Sequence, residues 1–157
     1  MQMMRTLQWA ALIGLLATPV SAGDWVLTGM TERMLQAVDR SNIRSTGNLH
    51  TYWTVSAYNG RQDEGQDYTL YQERIDCSAQ TIQTLSWTDR RFDEPAYSES
   101  RNRPEAAIPI VPESVGWSKF LLLCRNELVF EDMEPFDSSA EFAEAANLYI
   151  SEGVEAQ

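Results

Sequence analysis

The sequence predicts an α+β fold, mainly β, in which one curved antiparallel sheet carries a helix tied to it by a disulfide, and a short acidic helix follows at the C-terminus. Three observations predict this fold. Apolar and polar residues alternate in successive segments before residue 90, which is the period of a strand with one buried face. After residue 114 the apolar spacing changes to three and four residues, the period of a helix. The chain also has two cysteines, Cys77 and Cys124, one in each half.

The first 22 residues have the pattern of a secretory signal peptide. Arg5 precedes an apolar stretch at 7–20, and the small residues at 20–22 match what signal peptidase recognises. Because the stretch is shorter than the roughly 20 residues that cross a bilayer, we expect cleavage after Ala22 rather than a transmembrane anchor. The cleavage point has no cysteine beside it for lipid attachment. The sequence therefore predicts an exported protein without a membrane anchor after cleavage.

The remaining residues have the length of one domain with a single core. We expect a β-sheet domain at 23–125 and an acidic tail at 126–157. Without the signal peptide the chain carries 11 basic and 23 acidic residues, a formal charge of −12, which argues against nucleic acid as a partner. The charge is unevenly placed, because 126–157 contains nine acids and no base, whereas 23–125 contains 14 acids and 11 bases.

The two cysteines are expected to form a disulfide, because an exported protein folds in an oxidising compartment. Free thiols or a metal site are the alternatives. A metal site needs further ligands, and the single histidine, His50, has no zinc-ligand spacing with Cys77 or Cys124. A bridge across this loop stabilises a protein by about 4 kcal/mol in the chain-entropy model.

Strands are expected at 25–27, 33–39, 49–58, 67–77 and 81–88. The segment 49–58 has the clearest pattern, since Leu49, Trp53 and Val55 share one side and β-branched and aromatic residues are frequent. A polar loop opened by Asn59-Gly60 joins it to the next strand, which predicts a long hairpin. A turn at 78–80 then extends the hairpin to three strands. Residues 89–112 carry four prolines and read as loop, with an edge strand around 96–99.

The first helix is expected to begin after Ser114, whose side chain can cap it. Its apolar face is predicted to consist of Trp117, Phe120, Leu121 and Cys124, which recur at helical spacing. A disulfide from Cys124 to Cys77 would therefore tie this helix to the sheet.

A second helix is expected within the acidic tail. Residues 138–141 have the form of a capping box, and an apolar stripe of Phe142, Ala146, Tyr149 and Ile150 follows it. Uncompensated carboxylates favour a solvated tail, whereas a capped apolar stripe favours a helix that docks on the domain. Both interpretations remain open at this point.

No arrangement of residues predicts catalysis. The chain has no recognisable nucleophile motif, and His50, on the polar side of its strand, has no evident partner, so we expect that the protein is not an enzyme and needs no cofactor. Three acids that crowd one loop, Asp63, Glu64 and Asp67, are the candidates for a Ca²⁺ site. They lack the ordered alternation of an EF-hand loop, and solvated loop acids are the simpler interpretation.

Several positions resemble the bacterial surface-adhesin protein E-like family. They are Trp25 after the signal peptide, Asp39-x-x-x-Ile43, Asp76-Cys77, Ile110-x-Pro112-x-Ser114 and Leu123-Cys124. The resemblance covers roughly residues 24–125, and thus the expected sheet domain at 23–125. It implies one antiparallel sheet with a helix tied across it by the disulfide, in an envelope protein of Gram-negative bacteria. It also implies adhesion to host extracellular-matrix and serum proteins, although this chain lacks the lipid-anchoring cysteine and adds the acidic tail.

We therefore expect an exported, non-enzymatic binding module of the bacterial envelope, adhesin-like, and located in the periplasm or secreted. Its partner would be a protein, contacted through the sheet face or the acidic tail. Two alternatives are a metal-dependent activity at the carboxylate loop and a structural envelope protein with no discrete ligand.

Overall fold

A computed structural model describes residues 22–62, 65–94 and 97–155; the expected signal peptide lies, apart from Ala22, outside the described residues. The strands of this part of the chain are β1 Trp25–Met30, β2 Met34–Asp39, β3 Arg44–Thr46, β4 Leu49–Tyr58, β5 Tyr68–Asp76, β6 Thr81–Arg90, β7 Glu99–Arg101 and β8 Ile108–Pro109. Its α-helices are α1 Val115–Arg125 and α2 Ser139–Glu155, and a 3₁₀ turn spans Arg40–Asn42.

The strands form one antiparallel sheet in the order β1-β2-β4-β5-β6-β7, with β3 paired to one end of β4 and β8 to one end of β6. The predicted hairpin of β4 and β5 is confirmed, and its register runs from Leu49 opposite Asp76 to Ala57 opposite Tyr68. Irregularities at 27–29 in β1 and at 72–73 in β5 shift the register. Such bulges bend a sheet, which agrees with the predicted curvature.

Three short elements differ from the sequence-based expectation. The edge strand β7 begins at Glu99 and ends at Arg101, where a strand around 96–99 was expected. Neither β3 nor β8 was expected, because segments of two or three residues are too short to show a period. Pairing with the long strands β4 and β6 holds them in the sheet.

Both faces of the sheet are buried, each under one helix. On the α2 side the core includes Leu27, Leu35, Ala37, Val55 and Ala57 of the sheet. On the α1 side it includes Val26, Val38, Tyr52 and Ile75 of the sheet. Alternate residues of β1, β2 and β4 therefore enter different cores, as the twofold period of a strand requires.

The side of β4 that reads as polar in the sequence is thus buried rather than solvated. Thr54 and Ser56 are fully buried beneath α1, where each has a hydrogen-bond partner. Thr54 donates to Glu73, and Gln36 donates to Ser56 at 2.7 Å. Because these side-chain bonds replace those to water, hydroxyls can line the α1 side of the sheet.

Helix α1 begins as predicted, because the Ser114 hydroxyl accepts a hydrogen bond from the Trp117 N–H at 3.2 Å. The predicted apolar face is partly wrong. Leu122 is buried against the sheet, whereas Leu121 is only half-buried and outside the core. The helix is rotated so that Lys119 points inward, and Leu122, three residues later, lies on the same side.

Helix α2 docks on the sheet through Phe142, Ala143, Ala146 and Ile150. The capping box is present, since the Glu141 N–H donates to the Ser138 hydroxyl at 3.1 Å. Tyr149, which the sequence placed in the apolar stripe, is 61 % exposed, and Ala143 takes a place in the core instead. The side of the helix that faces the sheet therefore carries small alanines, and the tyrosine ring lies outside the core.

Candidate functional site

The predicted disulfide between Cys77 and Cys124 is present. Cys77 follows β5 directly and Cys124 lies in the last turn of α1; their Cα atoms are 5.6 Å apart, and their sequence separation is 47. The bridge therefore links the end of the sheet to the end of the helix that covers it.

The candidate metal loop is described only in part, because Asp63 and Glu64 lie outside the described residues. The Asp67 carboxylate is buried and already accepts three hydrogen bonds. Arg61 donates two of them, at 3.1 and 3.2 Å, and the Phe92 N–H donates the third at 2.8 Å. In this arrangement Asp67 ties the hairpin loop to the end of β6. The Ca²⁺ site stays a prediction.

His50 lies beside the disulfide, which the spacing along the sequence did not show. A ring nitrogen of His50 and the sulfur atoms of Cys77 and Cys124 lie within 4.8 Å of one another. The Nδ1 atom is 2.7 Å from the Ser45 hydroxyl on β3. Strand register brings the ring there, because His50 lies opposite Ile75, two residues before Cys77.

A buried ion pair lies between α1 and the sheet. Lys119 Nζ is 2.7 Å from Glu73 Oε2, and the Thr54 hydroxyl donates to the same oxygen at 2.6 Å. The two charged residues are 4 % and 8 % exposed. Burial, and next the negative charge of Glu73, raises the pKa of the nearby Tyr52 phenol well above its usual value. The sequence did not predict this cluster; its one visible signal is a lysine directly before the apolar run at 120–123.

A cavity of about 360 Å³ opens beside this ion pair, between α1 and β8. Its walls are branched apolar side chains, and Glu73, Lys119 and Gln36 supply its polar lining. Ile108 and Val111, at its rim, are largely exposed. The ion pair is internally neutral, so the cavity holds no uncompensated charge from these two groups.

The outward side of α2 forms an exposed surface of acidic and apolar residues. Glu141, Glu144, Leu148 and Glu152 recur every three or four residues and are all exposed, and Tyr149 flanks them. Leu148 and Tyr149 are 62 % and 61 % exposed. We call these five residues the α2 outer face; it combines like charges with two large apolar side chains.

A shallow pocket of about 280 Å³ adjoins the α2 outer face. Its lining consists of Glu144, Asn147 and Leu148 from the helix and Phe92 from the segment after β6. Phe92 is held in place by stacking on Tyr68, with 5.5 Å between the ring centroids. Asn147 donates to the Tyr58 carbonyl at 3.2 Å, which fixes the helix above the hairpin.

These features define a disulfide-linked α+β domain with an exposed acidic and apolar surface. A family model described as surface-adhesin protein E matches residues 25–125, and the chain belongs to this family. The resemblance seen in the sequence is therefore confirmed. Searches of curated proteins and of solved structures each found no match.

Family membership indicates a surface adhesin-like role and points to a non-enzymatic protein that binds an extracellular partner. Together with the disulfide, it indicates an extracellular or envelope protein. In the part of the chain that the structure describes, neither helix has both the length and the apolar character needed to cross a membrane.

Proposed function

We propose that this protein is an exported, non-enzymatic binding module that uses the α2 outer face to bind a basic, partly apolar segment of a protein partner. The observation that carries the proposal is the combination, on one helix surface, of three exposed carboxylates with Leu148 and Tyr149. The proposal also places the mature chain at 23–157, in the periplasm or outside the cell of a Gram-negative bacterium.

The negative charge of the α2 outer face indicates that the partner is basic. Residues 126–157 contain nine acids and no base, so α2 itself supplies no cation to pair with its exposed glutamates. Glu141 and Glu144 are three residues apart and repel each other on the helix surface. A cationic partner would relieve this repulsion, and its attraction over distance would increase the rate of encounter.

The two apolar side chains of the α2 outer face indicate that the partner segment is also partly apolar. Large exposed side chains such as Leu148 and Tyr149 lose contact with water when a partner covers them, which favours binding. The pocket between Phe92 and Leu148 is of a size to receive one apolar side chain. Protein interfaces likewise combine apolar side chains that become buried with polar residues that stay partly solvated.

The α2 outer face lies outside the region that the family model matches. Its assignment as a binding surface therefore rests on its own chemistry, whereas the adhesin-like role rests on the family. In this proposal the matched domain supplies the rigid sheet, and α2 supplies a surface particular to this chain.

The test measures binding of the full mature chain to purified extracellular-matrix and serum proteins of known charge. We expect binding to the basic members of the panel and a marked loss at high salt, since salt screens exposed charges. A Glu141→Gln/Glu144→Gln/Glu152→Gln variant should lower the association rate by about tenfold.

The matched control removes three exposed acids elsewhere, in a Glu32→Gln/Glu105→Gln/Glu113→Gln variant of the same net charge. It should bind as the unmodified protein does. Equal losses in both variants would show that net charge alone matters, and the assignment to α2 would be wrong. If a Leu148→Ala/Tyr149→Ala variant bound as tightly as the unmodified protein, apolar contact would not contribute to binding, and that part of the proposal would be wrong.

A further inference from the structure

We propose that Cys77, Cys124 and His50 bind one Zn²⁺ ion when the disulfide is reduced. In the oxidised protein the two sulfur atoms are bonded to each other and do not act as thiolate ligands. Two cysteine thiolates and one imidazole are a ligand set that zinc prefers, and three protein ligands leave a fourth position for water.

The three ligands are already assembled by the fold. Their donor atoms lie within 4.8 Å of one another, and all three residues are partly buried. His50 comes from β4, Cys77 from the end of β5 and Cys124 from α1, so each has a separate rigid support. Partial burial leaves the bridge open to a reductant and still surrounds the ion with protein.

The chemistry requires a reductant, for which we specify a dithiol. It transfers two electrons and two protons, so that the bond between the sulfurs breaks, each cysteine becomes a thiol, and the dithiol becomes a disulfide. Zn²⁺ then binds the two sulfurs as thiolates, the two thiol protons are released to solvent, and the oxidation state of zinc does not change. Zinc–sulfur bonds of about 2.3 Å require the sulfurs to separate to about 3.8 Å in a tetrahedral site. The Cα separation of 5.6 Å allows this through side-chain rotation.

Ser45 has a positioning role in this proposal. Its hydroxyl is 2.7 Å from His50 Nδ1, and in the zinc-bound form we assign the proton to Nδ1, which would then donate to Ser45 and leave the lone pair on Nε2. Nε2 is then the proposed zinc ligand. A metal-bound histidine usually donates its other ring N–H in this way, and the loss of such a partner lowers metal affinity.

Zinc would preserve the link between the sheet and α1 after the disulfide opens. The two cysteines connect the ends of these elements, and no other covalent bond between side chains is described there. The site would thus replace one cross-link by another, and the protein would keep its helix in place under reducing conditions.

The test uses the full mature chain, with Co²⁺ as a spectroscopic substitute for Zn²⁺ and a phosphine reductant in place of the dithiol, because a dithiol would itself bind the metal. We expect one Co²⁺ per reduced chain, with thiolate-to-cobalt charge-transfer absorption, and no such absorption in the oxidised chain. His50→Gln should weaken binding at least tenfold, and Ser45→Ala about tenfold. Zn²⁺ should raise the melting temperature of the reduced protein but not that of the oxidised protein.

His50→Gln keeps both cysteines, so its oxidised form serves as the control for folding. Equal Co²⁺ affinity of the reduced unmodified protein and reduced His50→Gln would overturn the proposal. So would Co²⁺ binding without charge-transfer absorption, because the ion would then lie among surface carboxylates. Absence of binding by a reduced chain that circular dichroism shows to be folded would also overturn it.

Discussion

Lys119 places a positive charge between α1 and the sheet, where the loss of water is costly. Glu73 offsets that cost by accepting a hydrogen bond from Lys119 at 2.7 Å, and the Thr54 hydroxyl donates to the same Glu73 oxygen at 2.6 Å. The pairing also sets the rotation of α1, because an inward Lys119 brings Leu122 rather than Leu121 into the core. The sequence predicted Leu121 there because its spacing with the other residues of the expected apolar face is helical.

Replacing Lys119 by methionine should destabilise the protein strongly, because Glu73 would remain buried without its cation. The expected loss is about 3–5 kcal/mol in the free energy of unfolding, measured with urea. A Lys119→Met/Glu73→Gln variant should recover most of it. Arg125→Met, on an exposed position of the same helix, should cost less than about 1 kcal/mol. Equal effects of the two single substitutions would contradict the importance of the pair.

Asp76 should contribute to stability in a pH-dependent way. Its carboxylate accepts hydrogen bonds from the Ser78 hydroxyl at 2.6 Å and from the Ala79 N–H at 3.0 Å, and these bonds lower the pKa of Asp76. A carboxyl group with a lowered pKa stabilises the fold above its unfolded pKa of about 3.9. This stabilisation is lost as the pH falls through the folded pKa.

The measurement compares urea midpoints of the unmodified protein and Asp76→Asn from pH 5 downward. Asparagine keeps an acceptor oxygen for the turn and does not ionise, so the difference between the two proteins should shrink below about pH 4. A difference that stays constant with pH would show that Asp76 acts only through turn geometry.

At the scale of elements, two helices cover the sheet by different means. Helix α1 is attached by the disulfide and the buried ion pair. Helix α2 relies on apolar packing, chiefly Phe142 with Ala143, Ala146 and Ile150. Its capping box and apolar stripe were visible in the sequence, but the rotation that buries Ala143 and exposes Tyr149 was not.

Phe142→Ala should destabilise the protein by about 3–5 kcal/mol, because it removes a buried ring and leaves a cavity beneath α2. Phe142 is almost fully buried and contacts Phe136 edge to face, with 5.3 Å between the ring centroids. Leu148→Ala, on the exposed side of the same helix, should change stability by less than about 0.5 kcal/mol. Thermal unfolding followed by circular dichroism measures both. Similar losses for the two variants would mean that α2 is packed differently.

At the scale of the whole molecule, the region that defines the family and the folded core do not end at the same residue. The family model stops at 125, but the core on one sheet face is completed by residues 142–150. The acidic segment is therefore both a cover for the sheet and the carrier of an exposed charged surface.

A chain that ends at Arg125 should expose the sheet face formed by Leu27, Leu35, Ala37 and Val55. We expect this shortened protein to bind a hydrophobic dye and to self-associate, as exposed apolar patches of this kind do. Light scattering after size-exclusion chromatography measures the association. A shortened protein that is monomeric, folded and free of dye would show that α2 is dispensable for covering the sheet.

The sequence by itself determined the five long strands, the start of α1, the capped start of α2 and the pairing of Cys77 with Cys124. These features follow from the local period of apolar residues, from helix-capping residues and from the number of cysteines. None of them depends on which distant residues come into contact. Only the tertiary structure decided that Lys119 meets Glu73, 46 residues away, and that His50 lies beside the disulfide. Such contacts depend on strand register and helix rotation. Register and rotation are determined by the packing of many side chains that are far apart in the sequence.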